Sequence, residues 1–214
     1  MINVLLVDDH HLVRTGISQI LSNVRGFSVV GECQTGEEAL KFCRNNTPDI
    51  VLMDMDMPGM GGLEATKKIL RIAPEIKIIV LSGHTEDAFV TQVMKLGASG
   101  YLTKGASPDE MVNAIRAVHC GQRYLPPDIA QKMALRQFNS EDENPFSELS
   151  EREMQIMMMI TRGDKVTNIS GLLNLSGKTV NSYRYRMFEK LAVSNDVELT
   201  HLAILHGMLK KETL

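Results

Sequence analysis

The sequence predicts a doubly wound α/β domain with a five-stranded parallel sheet, followed by a smaller all-helical domain. Three observations lead to this prediction. Short, almost wholly apolar runs alternate with amphipathic stretches over the first 125 residues, as they do where helices cover both faces of a parallel sheet. Polar residues follow several of these runs directly. From about residue 146 onwards, apolar residues recur only with helical spacing.

The individual elements follow from these runs. The predicted strands are residues 3–7, 27–31, 49–53, 76–81 and 99–103. The helices predicted between and after them lie near residues 11–23, 36–46, 62–72, 86–96 and 107–120. If the strand order is 2-1-3-4-5, the first and third strands are neighbours, and ligands bind at the carboxyl ends of the strands.

The chain is predicted to divide into two domains. Residues 1–125 form the first, residues 126–145 a linker with a helix at 128–138, and residues 146–214 the second. The linker prediction depends on the segment NSEDENP at 139–145, which is polar, acidic and ends in proline. Helices of the second domain are predicted near residues 151–162, 166–173, 177–191 and 197–208, the first with a capping box of Ser150 and Glu153.

Composition excludes several classes of protein. Apolar residues make up 43% and charged residues 23%, which is ordinary for a globular chain and excludes extensive disorder. Three cysteines without CxxC spacing indicate reduced thiols rather than a disulfide framework or a zinc site. No apolar run is long enough for a membrane span, and Asp8 and Asp9 come too early for a signal peptide. We therefore expect a cytoplasmic protein without membrane contact.

Polar side chains lie at the ends of four predicted strands. Asp8 and Asp9 follow the first strand, Asp54 the third, and Ser82 and Lys104 end the fourth and fifth. If the first and third strands are neighbours, the three aspartates converge. Converging carboxylates repel each other unless a cation shares them, and oxygen ligands suit Mg²⁺. A hydroxyl and an ammonium group beside them complement an incoming phosphoryl group, for which ionised Asp54 is the natural nucleophile.

Four segments carry a resemblance to a known family. They are VLLVDDH (4–10), DIVLMDMDMPGMGGLE (49–64), IKIIVLS (76–82) and GYLTKG (100–105). They resemble the receiver domain of two-component response regulators. The resemblance implies a flavodoxin-like fold in which a sensor histidine kinase passes a phosphoryl group to one aspartate, and the receiver catalyses only its own phosphoryl transfer and dephosphorylation.

The resemblance also assigns roles to residues. Asp54 matches the phosphoacceptor, and Asp8 and Asp9 match the acidic pair that binds Mg²⁺, with Asp9 the more direct ligand. Asp56 falls where the family uses a backbone carbonyl as a metal ligand. The residues that match the switch and phosphoryl-contact positions are Ser82, Tyr101 and Lys104.

A phosphatase is the enzymatic alternative. Asp54-Met55-Asp56 also resembles the DxD motif of haloacid-dehalogenase-type phosphatases, which likewise use a Ser or Thr and a Lys downstream. Those enzymes place the nucleophile on an early strand and the acidic pair after the lysine. Here the acidic pair precedes the nucleophile, so the order of residues disfavours this alternative.

The second domain has the spacing of a helix-turn-helix. A short helix ends near residue 173, a tight turn follows at 174–176 with Ser176 as N-cap, and the next helix carries a +3 charge in a chain whose net charge is −3. Val180, Met187 and Leu191 form its core stripe. The opposite face carries Lys178, Asn181, Ser182, Tyr185 and Arg186, side chains suited to a DNA major groove. The pattern alone equally fits a solvated face of a helical bundle.

Resemblance favours the DNA-binding interpretation. LSEREMQIMMMITRG (149–163) and LSGKTVNSYRYRMFEKL (175–191) resemble the LuxR/NarL-type DNA-binding domain. By this match the base-reading positions are Asn181, Ser182 and Tyr185. The residues expected nearer the phosphates are Lys178, Thr179 and Arg186. The helix from about Val197 matches the dimer contact of the family, although simple packing of its apolar residues fits the sequence equally well.

Together the two halves resemble the NarL/FixJ class of regulators, and SYRYRMF with DVELTHLAI is similar to its GacA/UvrY branch. The resemblance implies a hybrid sensor kinase as donor, promoter DNA of small regulatory RNAs, RNA polymerase as a partner, and a homodimer when phosphorylated. Activation by dimerisation and activation by uncovering of the DNA-reading helix both remain open. A non-enzymatic alternative is an atypical receiver that acts only through protein contacts.

Three residues depart from the family pattern. Gly171 lies inside the first helix of the pair and costs about 1 kcal/mol relative to alanine. Gly177 occupies the first turn of the next helix, where the family often has proline or glutamate. His11 replaces a common glutamate beside the acidic site.

Overall fold

The computed structural model describes residues 1–83, 87–138 and 145–209. Two compact units are present: an amino-terminal unit built around a sheet and a carboxyl-terminal unit of helices. Most of the predicted acidic linker, residues 139–144, lies outside the described residues, so the predicted domain boundaries stay predictions. Within the described ranges no helix is both long and apolar enough to cross a bilayer.

The sheet has five parallel strands in the predicted order, β2-β1-β3-β4-β5. The strands are β1 (Ile2–Val7), β2 (Phe27–Cys33), β3 (Ile50–Asp54), β4 (Lys77–Ser82) and β5 (Gly100–Thr103). Because β1 and β3 are neighbours and Val7 pairs with Met53, an aspartate comes next in each strand at the same edge of the sheet. The edge strand β2 extends beyond its predicted end, because an edge strand tolerates the polar Glu32.

Five helices connect or follow these strands, and a sixth helix follows α5 along the chain. They are α1 (His11–Ser22), α2 (Gly36–Asn45), α3 (Gly62–Ile72), α4 (Asp87–Lys95), α5 (Pro108–His119) and α6 (Pro127–Phe138). Thr35 and Ser107 cap α2 and α5 by accepting hydrogen bonds from backbone N–H groups of the first turn.

The three central strands have buried side chains on both faces. Leu6, Leu52 and Ile79 lie in one apolar cluster with Ile115 and Val118 of α5. Helices on both faces explain why the strands read as nearly continuous apolar runs rather than as alternating patterns. The sheet is therefore a rigid base from which the residues at its carboxyl edge project.

The carboxyl-terminal unit begins with a short 3-10 helix, Pro145–Glu148, which the sequence did not predict. Four helices follow: α7 (Glu151–Thr161), α8 (Val166–Leu172), α9 (Gly177–Leu191) and α10 (Asp196–Leu205). The predicted capping box of Ser150 and Glu153 is present at the start of α7. α10 begins slightly earlier than predicted because Asn195 is its N-cap.

The turn between α8 and α9 is tight. Asn174 adopts a left-handed conformation with φ 52°, which asparagine tolerates better than most residues. The Oγ of Ser176 then accepts a hydrogen bond from the backbone N–H of Thr179 at 3.0 Å, as predicted for the N-cap of α9. The two helices are thus joined in the way that a helix-turn-helix requires.

The three cysteines are free thiols. Cys33 on β2 and Cys43 on α2 are buried, and burial raises their pKa values to about 11 and about 12, respectively. Cys120, which follows α5, is exposed.

Candidate functional site

The carboxyl edge of the sheet brings two aspartates and a lysine together. Asp54 is fully buried at the end of β3, and Asp8 is buried directly after β1. The Nζ atom of Lys104, which follows β5, lies 2.8 Å from Asp54 Oδ2 and 3.2 Å from Asp8 Oδ2. Its backbone N–H donates to the carbonyl of Ser82 at 3.0 Å, which fixes the lysine beside β4. These residues form the pocket that the sequence predicts.

The charges of the pocket oppose one another. Burial raises the pKa of Asp54, the ammonium of Lys104 opposes this effect, and the carboxylate of Asp8 adds to it. Burial by itself lowers the pKa of Lys104, but the contacts with Asp54 and Asp8 outweigh it, so this pKa is raised. Lys104 therefore stays protonated and carries a fixed positive charge between two carboxylates.

The acidic side of the pocket has the donor set of a cation site. Asp8, Asp9, His10 and Asp54 each offer one ligand atom, and these atoms lie within 4.8 Å of one another. Asp8 Oδ2 and Asp54 Oδ2 are shielded from solvent beside the ammonium of Lys104, and Asp9 Oδ1 is shielded beside the ring Nδ1 of His10. Shielded carboxylate oxygens of this kind fit a hard divalent cation such as Mg²⁺.

Asp56 lies outside this group of ligand atoms. Its side chain is exposed, while its backbone N–H donates to Asp54 Oδ1 at 3.2 Å. The geometry is compatible with the expectation that the family uses only the backbone carbonyl at this position.

Ser82 and Tyr101, the predicted switch residues, are both fully buried. Ser82 follows Leu81, which pairs with Asp54, and Tyr101 on β5 pairs with Val80 of β4. Ser82 thus lies on the strand next to that of Asp54, and Tyr101 lies on the strand beyond it.

Three further residues support the pocket, and the sequence pattern does not single them out. His10, rather than the neighbouring His11, contacts the acidic pair, with its ring Nδ1 2.8 Å from Asp9 Oδ1 and 3.2 Å from Asp8 Oδ1. Arg14 is buried and donates to the backbone carbonyl of Asp8 at 2.7 Å. The signal for Arg14 was its place on the apolar stripe of α1, where a cation needs a buried acceptor.

The third residue is Gly62, at the start of α3. A Cβ atom there would lie 2.1 Å from the backbone carbonyl oxygen of Asp54 and 2.5 Å from Met55 Cε. Only glycine allows this approach, which lets α3 begin directly beside the end of β3.

The second candidate site is the exposed face of α9. Val180, Met187 and Leu191 are buried as the predicted core stripe requires. On the opposite face, the side chain of Tyr185 is 71% exposed. The exposed cations on that face are Lys178 and Arg186. A convex helix face with exposed cations can enter a nucleic-acid groove.

Three of the predicted DNA-contact residues are half-buried and already have partners. The Oγ1 of Thr179 lies 2.8 Å from Ser176 Oγ, and Ser182 donates its hydroxyl to the carbonyl of Lys178 at 3.0 Å. Asn181 accepts a hydrogen bond from Arg184 at 2.9 Å. Periodicity predicts which side chains face outwards, but it gives no information on these partners.

Comparison with known proteins decides between the interpretations. Residues 4–116 match the response regulator receiver domain, and residues 147–203 match the bacterial regulatory proteins of the luxR family. The chain belongs to the response regulators. Its receiver domain and its LuxR-type DNA-binding domain are those that the sequence predicted, and the match gives no support to the phosphatase alternative.

Relatives share this organisation over the whole chain. The response regulator is 62% identical over 215 residues to response regulator UvrY of Escherichia coli K12, covering 100% of this chain and 99% of that protein. It is 55% identical over 210 residues to response regulator GacA of Pseudomonas aeruginosa, covering 98% of each. These identities confirm the predicted GacA/UvrY branch.

Among solved structures, the response regulator is similar to RcsB of Salmonella enterica serovar Typhimurium bound to promoter rprA in the presence of the phosphomimetic BeF3-. The TM-score is 0.67 and the identity 27%, over 94% of this chain and 98% of that one. The fold is thus one in which a solved relative is bound to promoter DNA.

Proposed function

We propose that Asp54 accepts a phosphoryl group from a sensor histidine kinase of hybrid type, and that phosphorylation switches promoter binding by the DNA-binding domain. The position of Lys104 carries this proposal, because its ammonium lies 2.8 Å from Asp54 and 3.2 Å from Asp8. An ammonium fixed beside a buried carboxylate is suited to neutralise a phosphoryl group that forms there.

The chemistry requires positioning rather than an added general base. A carboxylate oxygen of Asp54 attacks the phosphorus of a phosphohistidine, the P–N bond breaks, and the imidazole of the kinase leaves. Lys104 then contacts the new phosphoryl oxygens, and Ser82 donates its hydroxyl to one of them. The phosphoryl group adds a charge of about −1.5 to −2. Ser82 and Tyr101 move in response to it, and their movement transmits the change to the rest of the molecule.

Asp8, Asp9 and Asp54 are the carboxylates that would hold Mg²⁺, together with the backbone carbonyl of Asp56. The shielded oxygens described above support this assignment. When bound, the cation neutralises the carboxylates and the incoming phosphoryl oxygens. Arg14 keeps Asp8 in place by its bond to the backbone carbonyl.

On the DNA side, α9 enters the major groove with Asn181, Ser182 and Tyr185 near base edges. Lys178, Thr179 and Arg186 lie nearer the phosphates. Exposed apolar side chains of Val197 and Leu205 on α10 support a homodimer that binds two half-sites. Such a regulator acts on RNA polymerase at promoters of small regulatory RNAs, and it does so in the cytoplasm.

The phosphoacceptor is tested by labelling. The full chain is incubated with Mg²⁺ and radiolabelled acetyl phosphate. The label bound to the protein is then counted before and after acid treatment. We expect Asp54→Asn to lose the label. Asp56→Asn is the matched control, because it removes an exposed carboxylate from the neighbouring loop and leaves its backbone carbonyl in place. Label that persists in Asp54→Asn would overturn the assignment.

The output is tested by selection from random duplex DNA with phosphorylated protein. Enrichment of a sequence with two related half-sites is expected, and the sequence identifies the target. An atypical receiver that acts only by protein contact would enrich none.

A further inference from the structure

We propose that Arg184 is a positioning residue that sets the base preference of the DNA-reading helix by fixing the orientation of the Asn181 amide. The inference rests on the proposed function, because it takes α9 as the helix that enters the groove. Asn181 and Arg184 lie one helical turn apart on α9, and both are half-buried.

The chemistry of the two side chains fixes the orientation of the Asn181 amide. Arg184 Nη1 donates to Asn181 Oδ1 at 2.9 Å. A guanidinium group has only donors, so the amide must turn its oxygen towards Arg184 and its NH2 group away from it. The opposite orientation would place two donors against each other.

Arg184 is itself held from the other side. Its Nε and Nη2 atoms donate to Asp196 Oδ1 at 3.2 Å and Oδ2 at 2.5 Å, a bidentate contact with the first residue of α10. Its guanidinium also lies 5.7 Å from the ring centroid of Phe188. A guanidinium held in a fork and against an aromatic ring has little freedom to turn, so the amide that it contacts is fixed as well.

The orientation of the amide limits which bases Asn181 can recognise. Asparagine commonly recognises adenine with both its oxygen and its nitrogen, but here the oxygen is directed towards Arg184. The outward NH2 group can donate to the O6 and N7 acceptors of guanine. It has no acceptor for the N4 donor of cytosine. Adenine and thymine each offer this group one acceptor, guanine offers two, and cytosine offers none. We therefore expect Asn181 to favour guanine over adenine and thymine, and to disfavour cytosine most, at one base pair of each half-site.

Charge-matched variants test the inference. The phosphorylated full chain is titrated against duplexes that carry each of the four base pairs at every position of its selected site. Arg184→Gln offers the amide both a donor and an acceptor, so Asn181 can turn either way. We expect the discrimination at one base pair to fall from about five- to 150-fold, the range for a good contact, to about twofold. The salt dependence of binding stays as in the parent chain.

Arg186→Gln is the matched control, because it removes the same charge from an exposed arginine of the same helix. We expect it to weaken binding to all sequences, to reduce the salt slope by about 1, and to keep the base preference. If Arg184→Gln behaves in the same way as Arg186→Gln, Arg184 contacts the phosphates and the inference is wrong.

Asn181→Asp tests the same orientation with the Arg184–Asp196 pair intact. The carboxylate still accepts from Arg184, but its outward oxygen now accepts from cytosine N4, so the preference should change from guanine to cytosine. An unchanged preference would overturn the inference even if Arg184→Gln failed to fold. If the parent chain enriches no sequence at all, the proposed DNA-binding function fails, and the inference fails with it.

Discussion

The acidic pocket and the DNA-reading helix place their functional groups in opposite ways. In the pocket, Asp8 and Asp54 are buried and are fixed by adjacent parallel strands. On α9, Tyr185 and Arg186 are exposed on a helix that has one buried stripe. The pocket is held by backbone geometry, whereas the reading surface depends on hydrogen bonds between side chains.

The difference has a consequence for substitutions. A change near the pocket disturbs the sheet edge and the chemistry together, because the strands determine both. A change on the outer face of α9 alters recognition and leaves the core in place. The following four predictions compare the receiver pocket with the core of the DNA-binding domain, in order of decreasing effect on stability.

The largest effect is expected at the start of α3. Gly62→Ala places a methyl group against the carbonyl oxygen of Asp54, and neither backbone can move without displacing β3. We expect a loss of about 3 kcal/mol in the free energy of unfolding of the receiver domain, with loss of phosphorylation. Urea titration of the full chain measures it.

Gly16→Ala is the control for this change. Gly16 lies in α1 with no atom within 4 Å of an added Cβ. This variant should keep or raise the stability of the receiver domain. Equal losses in the two variants would show that the approach at Gly62 has no special importance.

The DNA-binding domain has its own buried charge. Glu153 is buried and accepts from Lys190 at 2.6 Å and from the Ser150 backbone at 2.9 Å. Burial alone raises its pKa, but these donors outweigh it, and the pKa is lowered from 4.5. Glu153→Gln is expected to cost about 2 kcal/mol at neutral pH, because a neutral amide loses the charge-assisted hydrogen bonds that the buried carboxylate accepts from Lys190 and from the Ser150 backbone.

The pH dependence of this pair has a definite sign. A lowered carboxyl pKa contributes stability that is fully present above the unfolded value of 4.5 and is lost as the pH falls through the lower folded value. Denaturant titrations between neutral and acidic pH should therefore converge for the parent chain and Glu153→Gln. A constant difference at all pH values would contradict this account.

Mg²⁺ should stabilise the receiver domain. At ten times the dissociation constant the expected gain is about 1.4 kcal/mol. Asp9→Asn removes one of the shielded oxygens and should abolish the gain. Thermal unfolding with and without MgCl2, against KCl at equal ionic strength, measures the effect. A gain of equal size in Asp9→Asn would show that the cation binds elsewhere.

The smallest effect concerns the helix before the reading helix. Gly171 lies in α8, and an added Cβ there meets no atom within 4 Å. Gly171→Ala should therefore stabilise the DNA-binding domain by about 1 kcal/mol, with DNA affinity unchanged. Calorimetry and a DNA titration check both parts. A loss of stability would mean that the glycine serves a purpose that the free space does not reveal.

Much of the pocket could be predicted from the sequence because parallel strands align their ends. Apolar runs end at Val7 and Met53, and the strand order brings the following aspartates together. The lysine after β5 follows from the same argument. For this reason the strand order, the acidic pair and Lys104 could be predicted without coordinates.

Contacts between side chains of different elements could not be predicted in this way. Arg14 reaches the carbonyl of Asp8 only because α1 packs against the sheet at a particular height. The bond from Arg184 to Asp196 likewise depends on where α10 begins, and the prediction of that start was slightly late. Such contacts depend on helix orientation, which local patterns do not specify.

The three cysteines differ in exposure, which allows a dye to be attached to the response regulator at a single position. Two of its thiols are buried with pKa values of about 11 and about 12, so they are almost wholly protonated and shielded at neutral pH. Cys120 is exposed. A maleimide dye should therefore modify this one position in the unaltered sequence, which attaches a fluorescent label next to α5 without any mutation.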